Sequence, residues 1–300
     1  MCYRFIENAQ LKINYQNTVI KSIHSIDTGY FKLDGGAMFG VVPKSIWNKL
    51  NPADENNMCS WALRCLLICT NDGKNILVDT GIGNKQDEKF KSHFYLHGSG
   101  DLIQSIKALG LEAEDITDVI LTHLHFDHCG GAVRKNEDNE LIPTFPNAIY
   151  WSTQTHWNWA SNPNEREKNS FLKENFQPLQ DHDKLKFIIE SSDRVDFMEG
   201  ISIHFCSGHT QSLMAIEMDC NGQNYLFTAD LFPSSYHVPI AYVMAYDIFP
   251  MLSLLEKKKM LNYAIEKNSI MIFEHDPNHI ACNFKKNEQG RIVVNEYFNL

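Results

Sequence analysis

Thr122-His123-Leu124-His125-Phe126-Asp127-His128, with Gly130-Gly131 just beyond, follows directly on the apolar run Asp118-Val119-Ile120-Leu121. That run has the length and β-branched character of a buried strand. Side chains two apart on an extended segment share a face, so His123 and His125 can converge on one ion while Leu124 and Phe126 turn to the core. The two glycines supply permissive backbone for a turn that aims Asp127 and His128 at a second position. Three imidazoles and a carboxylate this close repel one another on protonation, and bound metal is the arrangement that accounts for them. A site at the carboxyl end of a strand is also where α/β sheets present their chemistry.

Outward from this stretch the pattern alternates between sheet and helix. Thr18 to Leu33 alternates apolar and polar residues, and Asn71-Asp72-Gly73-Lys74 between Trp61–Thr70 and Asn75–Asp79 is a hairpin signal. Asp101 is placed to cap a helix carrying Leu102, Ile103, Ile106 and Leu109, with Gly110 as its stop. Trp151 to Gln180 is polar and charge-mixed, reads as helix and surface loop, and receives no catalytic role. Beyond Lys184 the pattern is again β, through Phe187-Ile188-Ile189, Ile201 to Phe205, Leu213 to Met218 and Tyr225 to Thr228. Leu252 to Ile265 has helical spacing, and short strands are expected at Ile270 to Phe273 and Arg291 to Val294. Two runs of strands with helices and no linker between them predict a four-layer αβ/βα sandwich. The 300 residues are expected to form one domain, with residues 1–60 as a β-rich N-terminal extension.

Bulk properties narrow the function. A composition 43% hydrophobic and 21% charged is that of a globular protein. The formal charge of −10 argues against nucleic-acid binding and favours a small-molecule substrate. No apolar run is long enough to span a membrane, since even Trp61 to Cys69 is interrupted by Arg64, and the start lacks a secretory pattern. A cytoplasmic protein without membrane partners is expected, with homodimerisation left open. None of the eight cysteines has the paired spacing of a zinc ribbon, and only Cys129, beside the histidines, is of chemical interest.

Three further polar residues end apolar strands: His209 in Gly208-His209-Thr210, Asp230 in Thr228-Ala229-Asp230, and His275 in Phe273-Glu274-His275-Asp276. With these in order after the histidine run, and Val78-Asp79-Thr80-Gly81 before it, the chain resembles the metallo-β-lactamase superfamily over nearly its whole length. The resemblance implies that His123, His125 and His209 bind one metal and that Asp127, His128 and His275 bind a second, with Asp230 bridging. Asp79 would support the metal loop without ligating. Two divalent ions are implied as cofactors, zinc being the expected metal and iron, manganese or cobalt also suiting mixed imidazole and carboxylate ligands. A shared hydroxide between them would make the centre a hydrolase.

Within the superfamily, Phe39-Gly40-Val41-Val42-Pro43-Lys44 and Tyr242-Val243-Met244-Ala245-Tyr246-Asp247 resemble the N-acyl-homoserine lactonase branch. Cleavage of a lactone or related ester is therefore the expected reaction, with Asp127 and Asp230 as catalytic candidates. Several lactonases carry a tyrosine three residues after the bridging aspartate. Pro233 stands there in this chain, and Tyr236 and His237 are the expected substitutes. Met38, Phe39, Trp47 and Phe232 are the expected apolar lining. Phosphotriester or aryl-ester hydrolysis on the same metal pair is the alternative, followed by an iron-dependent oxidoreductase of the persulfide dioxygenase type.

Overall fold

In the computed structural model, which describes residues 20–300, strand β1 (Ile20–Asp34) runs antiparallel to β2 (Met58–Thr70), and the Asp72-Gly73 turn folds β2 back onto β3 (Asn75–Val78). Gly73 takes φ 87° there, a conformation that a residue without Cβ adopts freely. β4 (Asp118–Ile120) lies parallel to β3, and β5 (Val133–Lys135) and β6 (Leu141–Pro143) form a separate ribbon. β7 (Ile149–Thr153) and β8 (Leu185–Ile188) complete a six-stranded sheet in the order β1-β2-β3-β4-β7-β8.

The second half forms a seven-stranded sheet from β9 (Arg194–Met198), β10 (Ile201–Cys206), β11 (Leu213–Cys220), β12 (Gln223–Phe227), β13 (Ile270–Ile272), β14 (Ala281–Lys286) and β15 (Ile292–Phe298). Neighbours in this sheet are antiparallel except β12 and β13, which the helix Pro250–Glu266 connects as a parallel crossover.

The period of two along the strands decides what each face meets. Leu66, Ile68, Ile76, Val78 and Ile120 turn to the second sheet and share a buried cluster with Ile203, Ile216, Leu226, Phe227 and Met271. Their neighbours Cys65, Leu67, Leu77 and Val119 turn outward, where Leu102 and Ile106 of one helix and Trp157 and Ala160 of another cover them. Met260, Leu261 and Ala264 of Pro250–Glu266 pack on the second sheet. The layers are those of the α/β sandwich expected from the sequence.

Two departures are local. β5, β6, β7, β9 and β14 were not anticipated, because β5 and β6 are only three residues each, Arg194–Met198 and Ala281–Lys286 are too polar to announce strands, and β7 is held by its parallel neighbours β4 and β8. The region before residue 60 is not wholly β: Gly35–Phe39 and Lys44–Trp47 are helical, the first capped by Asp34, whose carboxylate accepts from the Ala37 amide. Thr18 and Val19, the start of the expected first strand, and Cys2 lie outside the described residues. Among the described residues no helix is long and apolar enough to cross a membrane.

Candidate metal centre

β4 ends at Ile120, and the chain from Thr122 onward is held by a buried carboxylate. Asp79 accepts from the Thr122 amide at 2.7 Å and from the Thr122 hydroxyl at 2.6 Å. Leu124 is buried in the outer core, as its alternation predicts. Phe126 instead packs against Phe90 and Phe94 at the edge of a cavity. The turn after His125 is a short helix, Phe126–Cys129, running into a 3-10 turn over Gly130–Ala132. Gly130 keeps ordinary right-handed helical angles, φ −60° and ψ −37°. These glycines serve close approach, since a Cβ on Gly131 would sit 2.2 Å from the Thr80 carbonyl and one on Gly130 2.1 Å from that of Ile82.

This packing brings the seven expected ligands together, all buried. One group is formed by His123, His125 and His209, another by Asp127, His128 and His275, and the ligand atoms within each lie within 4.8 Å of one another. His209 Nε2 is 3.2 Å from His125 Nδ1, and His275 Nε2 is 3.2 Å from His128 Nε2. Asp230 stands between the groups, with Oδ2 at 3.2 Å from His209 Nε2 and Oδ1 at 3.1 Å from His275 Nε2. His123 Nε2 is buried without a hydrogen-bond partner among the described residues, and Asp230 Oδ1 has only the His275 and His128 nitrogens beside it; both atoms fit ligands reserved for a cation.

The far nitrogens of the imidazoles are also engaged. His209 Nδ1 donates to Asp247 at 2.9 Å, His275 Nδ1 to the Ala62 carbonyl at 2.8 Å, and His123 Nδ1 is 3.1 Å from the Thr122 hydroxyl. His128 Nδ1 faces Asp79 at 3.3 Å and Glu274 at 3.0 Å. His125 Nε2 lies 3.4 Å from Glu167, which also accepts from the Thr210 hydroxyl at 2.6 Å. Such partners fix tautomer and ring orientation before a metal arrives.

Electrostatics follow from burial and these partners. Burial holds the His123 pKa well below the ordinary imidazole value. At His128 burial pulls the same way, but Glu274, Asp127 and Asp230 outweigh it and raise the pKa; His275 is pushed up to about 9 because Asp230 overcomes its burial. Burial works to raise the Asp230 pKa, and the surrounding His128, His275 and His209 hold it well below the carboxylate range.

The sequence profile of the Metallo-beta-lactamase superfamily matches residues 64–275, which contain every one of these groups. The chain belongs to that superfamily. N-acyl homoserine lactonase AiiA of Bacillus thuringiensis subsp. kurstaki is 26% identical over 275 residues, covering 86% of this chain and 94% of that one. A probable metal-dependent hydrolase from Staphylococcus aureus superposes with a TM-score of 0.83 at 32% identity, over 94% of this chain and 97% of its own. AidC, a dizinc quorum-quenching lactonase solved with a product, superposes with a TM-score of 0.73 at 21% identity, over 95% and 99%. This member of the superfamily is a metal-dependent hydrolase.

Beside the metallo-beta-lactamase centre lies a cavity of about 470 Å³, lined by His125, Asp127, His209, Asp230 and His275 at its floor. Met38 lines it as expected, but Phe39, Trp47 and Phe232 are buried in core clusters and do not. Neither Tyr236 nor His237 reaches it. His237 is fully buried, with Nδ1 2.7 Å from the Ser234 hydroxyl, Nε2 2.9 Å from the Met38 carbonyl and its ring stacked on Phe39. The Tyr236 hydroxyl accepts from Asn278. Both side chains are spent on holding the loop after Asp230, which corrects the catalytic expectation for them. Cys129 is likewise structural, a buried thiol donating to the Leu124 carbonyl at 3.3 Å and pushed up to about 12 by burial.

Four supporting residues escaped the sequence reading. Glu167 lies in the segment assigned no role, where nothing distinguishes it from the exposed Glu165 two positions earlier. His156, in the same segment, accepts from the Leu124 amide at 2.8 Å and bonds the Gln211 carbonyl at 2.6 Å. Asp247 ends the stretch Tyr242 to Asp247 quoted above, and Glu274 precedes His275; position beside a recognised motif was the only available signal for either.

Proposed function

We propose that this chain is a dinuclear hydrolase that opens a lactone or closely related carboxylic ester. The observation that carries the two-metal reading is Asp230, which presents one carboxylate oxygen to each ligand group. His123, His125 and His209 would hold one divalent ion and Asp127, His128 and His275 the other, with zinc the expected metal. Bound there, such a pair supplies a water-derived nucleophile near neutral pH and a Lewis acid for the ester carbonyl.

The remaining work falls to the cavity. Leu33, Met38, Phe94, Phe126 and Met244 form an apolar wall suited to an acyl chain, facing a polar side with Arg166, Asn169, Ser170 and Tyr246. The Tyr246 hydroxyl has no hydrogen-bond partner among the described residues. Burial, then Asp34, Asp127 and Asp230, push its pKa up, so it stays protonated as a donor. Its neighbours are fixed: the Ala245 amide donates to the Ala37 carbonyl at 2.8 Å, and Arg166 donates to the carbonyls of Ala245 and Asp247. Tyr246 therefore fills the role expected of Tyr236 or His237, donating to the substrate oxygen on which charge develops.

The lactonase names of the sequence relatives, and the product-bound state of the structurally similar AidC, support a lactone substrate. The test is turnover by purified protein with zinc, manganese or cobalt on N-acyl homoserine lactones of graded chain length, an aryl ester and an aryl phosphotriester. Lactone opening that chelation abolishes and metal restores is expected. Activity confined to the phosphotriester, or none on any substrate with two metals bound, would overturn the assignment.

A further inference from the structure

Glu274 and His275 are neighbours at the end of β13, yet their side chains go to opposite sides of the same imidazole. His275 Nε2 faces His128 Nε2 at 3.2 Å, whereas Glu274 Oε2 lies behind the ring, 3.0 Å from His128 Nδ1. Glu274 is fully buried, and apart from His128 its carboxylate oxygens have no hydrogen-bond or ion-pair partner among the described residues. The backbone holds it in place. The Arg64 amide donates to the Glu274 carbonyl at 3.1 Å, the Phe273 amide to Ile280 at 2.9 Å and the His275 amide to Pro233 at 2.8 Å.

A second carboxylate behind His128 is surplus to orientation. Asp79 already stands 3.3 Å from His128 Nδ1 and is itself anchored by the Thr122 amide and hydroxyl. Glu274 has no such anchors, and burial pushes its carboxyl up to about 8, so it carries negative charge only while positive charge faces it through His128. The ring it backs belongs to the Asp127, His128 and His275 group. Negative charge on the far side of an imidazole makes its other nitrogen a stronger donor to a cation. Resting on the two-metal reading above, we infer that Glu274 is a positioning residue that acts through His128 to tighten cation binding at the Asp127/His128/His275 site, leaving the His123/His125/His209 site unaffected.

The experiment is a zinc titration of the metal-free full-length protein against a chromophoric chelator, for wild type and Glu274→Gln, which keeps shape and removes charge. The expected result is two equivalents in both proteins, one of them about 10–100-fold weaker in the variant. The increase in melting temperature on adding zinc should shrink as well. Cobalt spectra should change only in the bands of the weakened equivalent, a signature that a purely structural role would not produce. Glu274→Met, of similar length and also uncharged, gives the same comparison if the glutamine variant fails to fold. Two equivalents with unchanged affinities in a folded variant would overturn the role of Glu274 alone. Fewer than two equivalents in the wild type would overturn the two-metal reading and this inference with it.

Discussion

His156 links the two loops that bring His123, His125 and His209 together, and its replacement by Leu gives a pH-dependent signature. Its Nε2 accepts from the Leu124 amide and its Nδ1 donates to the Gln211 carbonyl, so the ring is neutral by construction. Burial is the main reason its pKa is held down to about 4, against 6.5 for a free imidazole. Between those values the unfolded chain binds a proton that the folded protein does not, so stability is present above pH 6.5 and lost as pH falls toward 4. With about 1.36 kcal/mol per pKa unit, the loss attributable to this ring between pH 8 and pH 4.5 is about 2.5 kcal/mol. At pH 8, His156→Leu orphans one buried N–H and one buried C=O, each costing roughly 1–3 kcal/mol. Urea unfolding of metal-free wild type and variant, followed by tryptophan fluorescence at both pH values, isolates the ring, because every other titrating group is common to the two. The wild type should be the more stable at pH 8, and the gap should narrow by about 2.5 kcal/mol at pH 4.5. A gap of the same size at both pH values would refute the reasoning, since it would mean that the ring titrates alike in both states.

Gly131→Ala should lower stability by roughly 1–3 kcal/mol, because the new methyl meets the Thr80 carbonyl at 2.2 Å; an unchanged melting temperature would contradict the close approach. Asp230→Asn should retain fewer than two metal equivalents by elemental analysis while still folding, as expected when one oxygen of a bridging carboxylate is replaced by an amide. Tyr246→Phe should reduce lactone kcat/KM by roughly 10²-fold with full metal content, the scale for one donor to a developing oxyanion. Unaltered kinetics would remove Tyr246 from the reaction.

The residues that could be read from sequence are those whose chemistry is local. His123, His125, Asp127 and His128 lie within six positions of one another, and an extended segment followed by a turn already predicts two convergent directions. His209, Asp230 and His275 were legible because each closes an apolar strand, and the order of motifs resembles a known superfamily. The layered sandwich followed from strand periodicity, which writes the two faces of each sheet directly into alternate positions. Glu167 and His156 were not legible, since a buried carboxylate and an exposed one have the same sequence signature, and burial is conferred by distant elements. Tyr236 and His237 were misplaced because proximity in the chain to Asp230 says nothing about direction, and hydrogen bonds with the Ser234 hydroxyl, the Met38 carbonyl and the Asn278 amide turn both away. The sequence by itself determined the class of centre and the sandwich that carries it. Only the tertiary structure decided which carboxylates stand behind each imidazole and which side chains line the cavity, because those contacts join residues up to about two hundred positions apart.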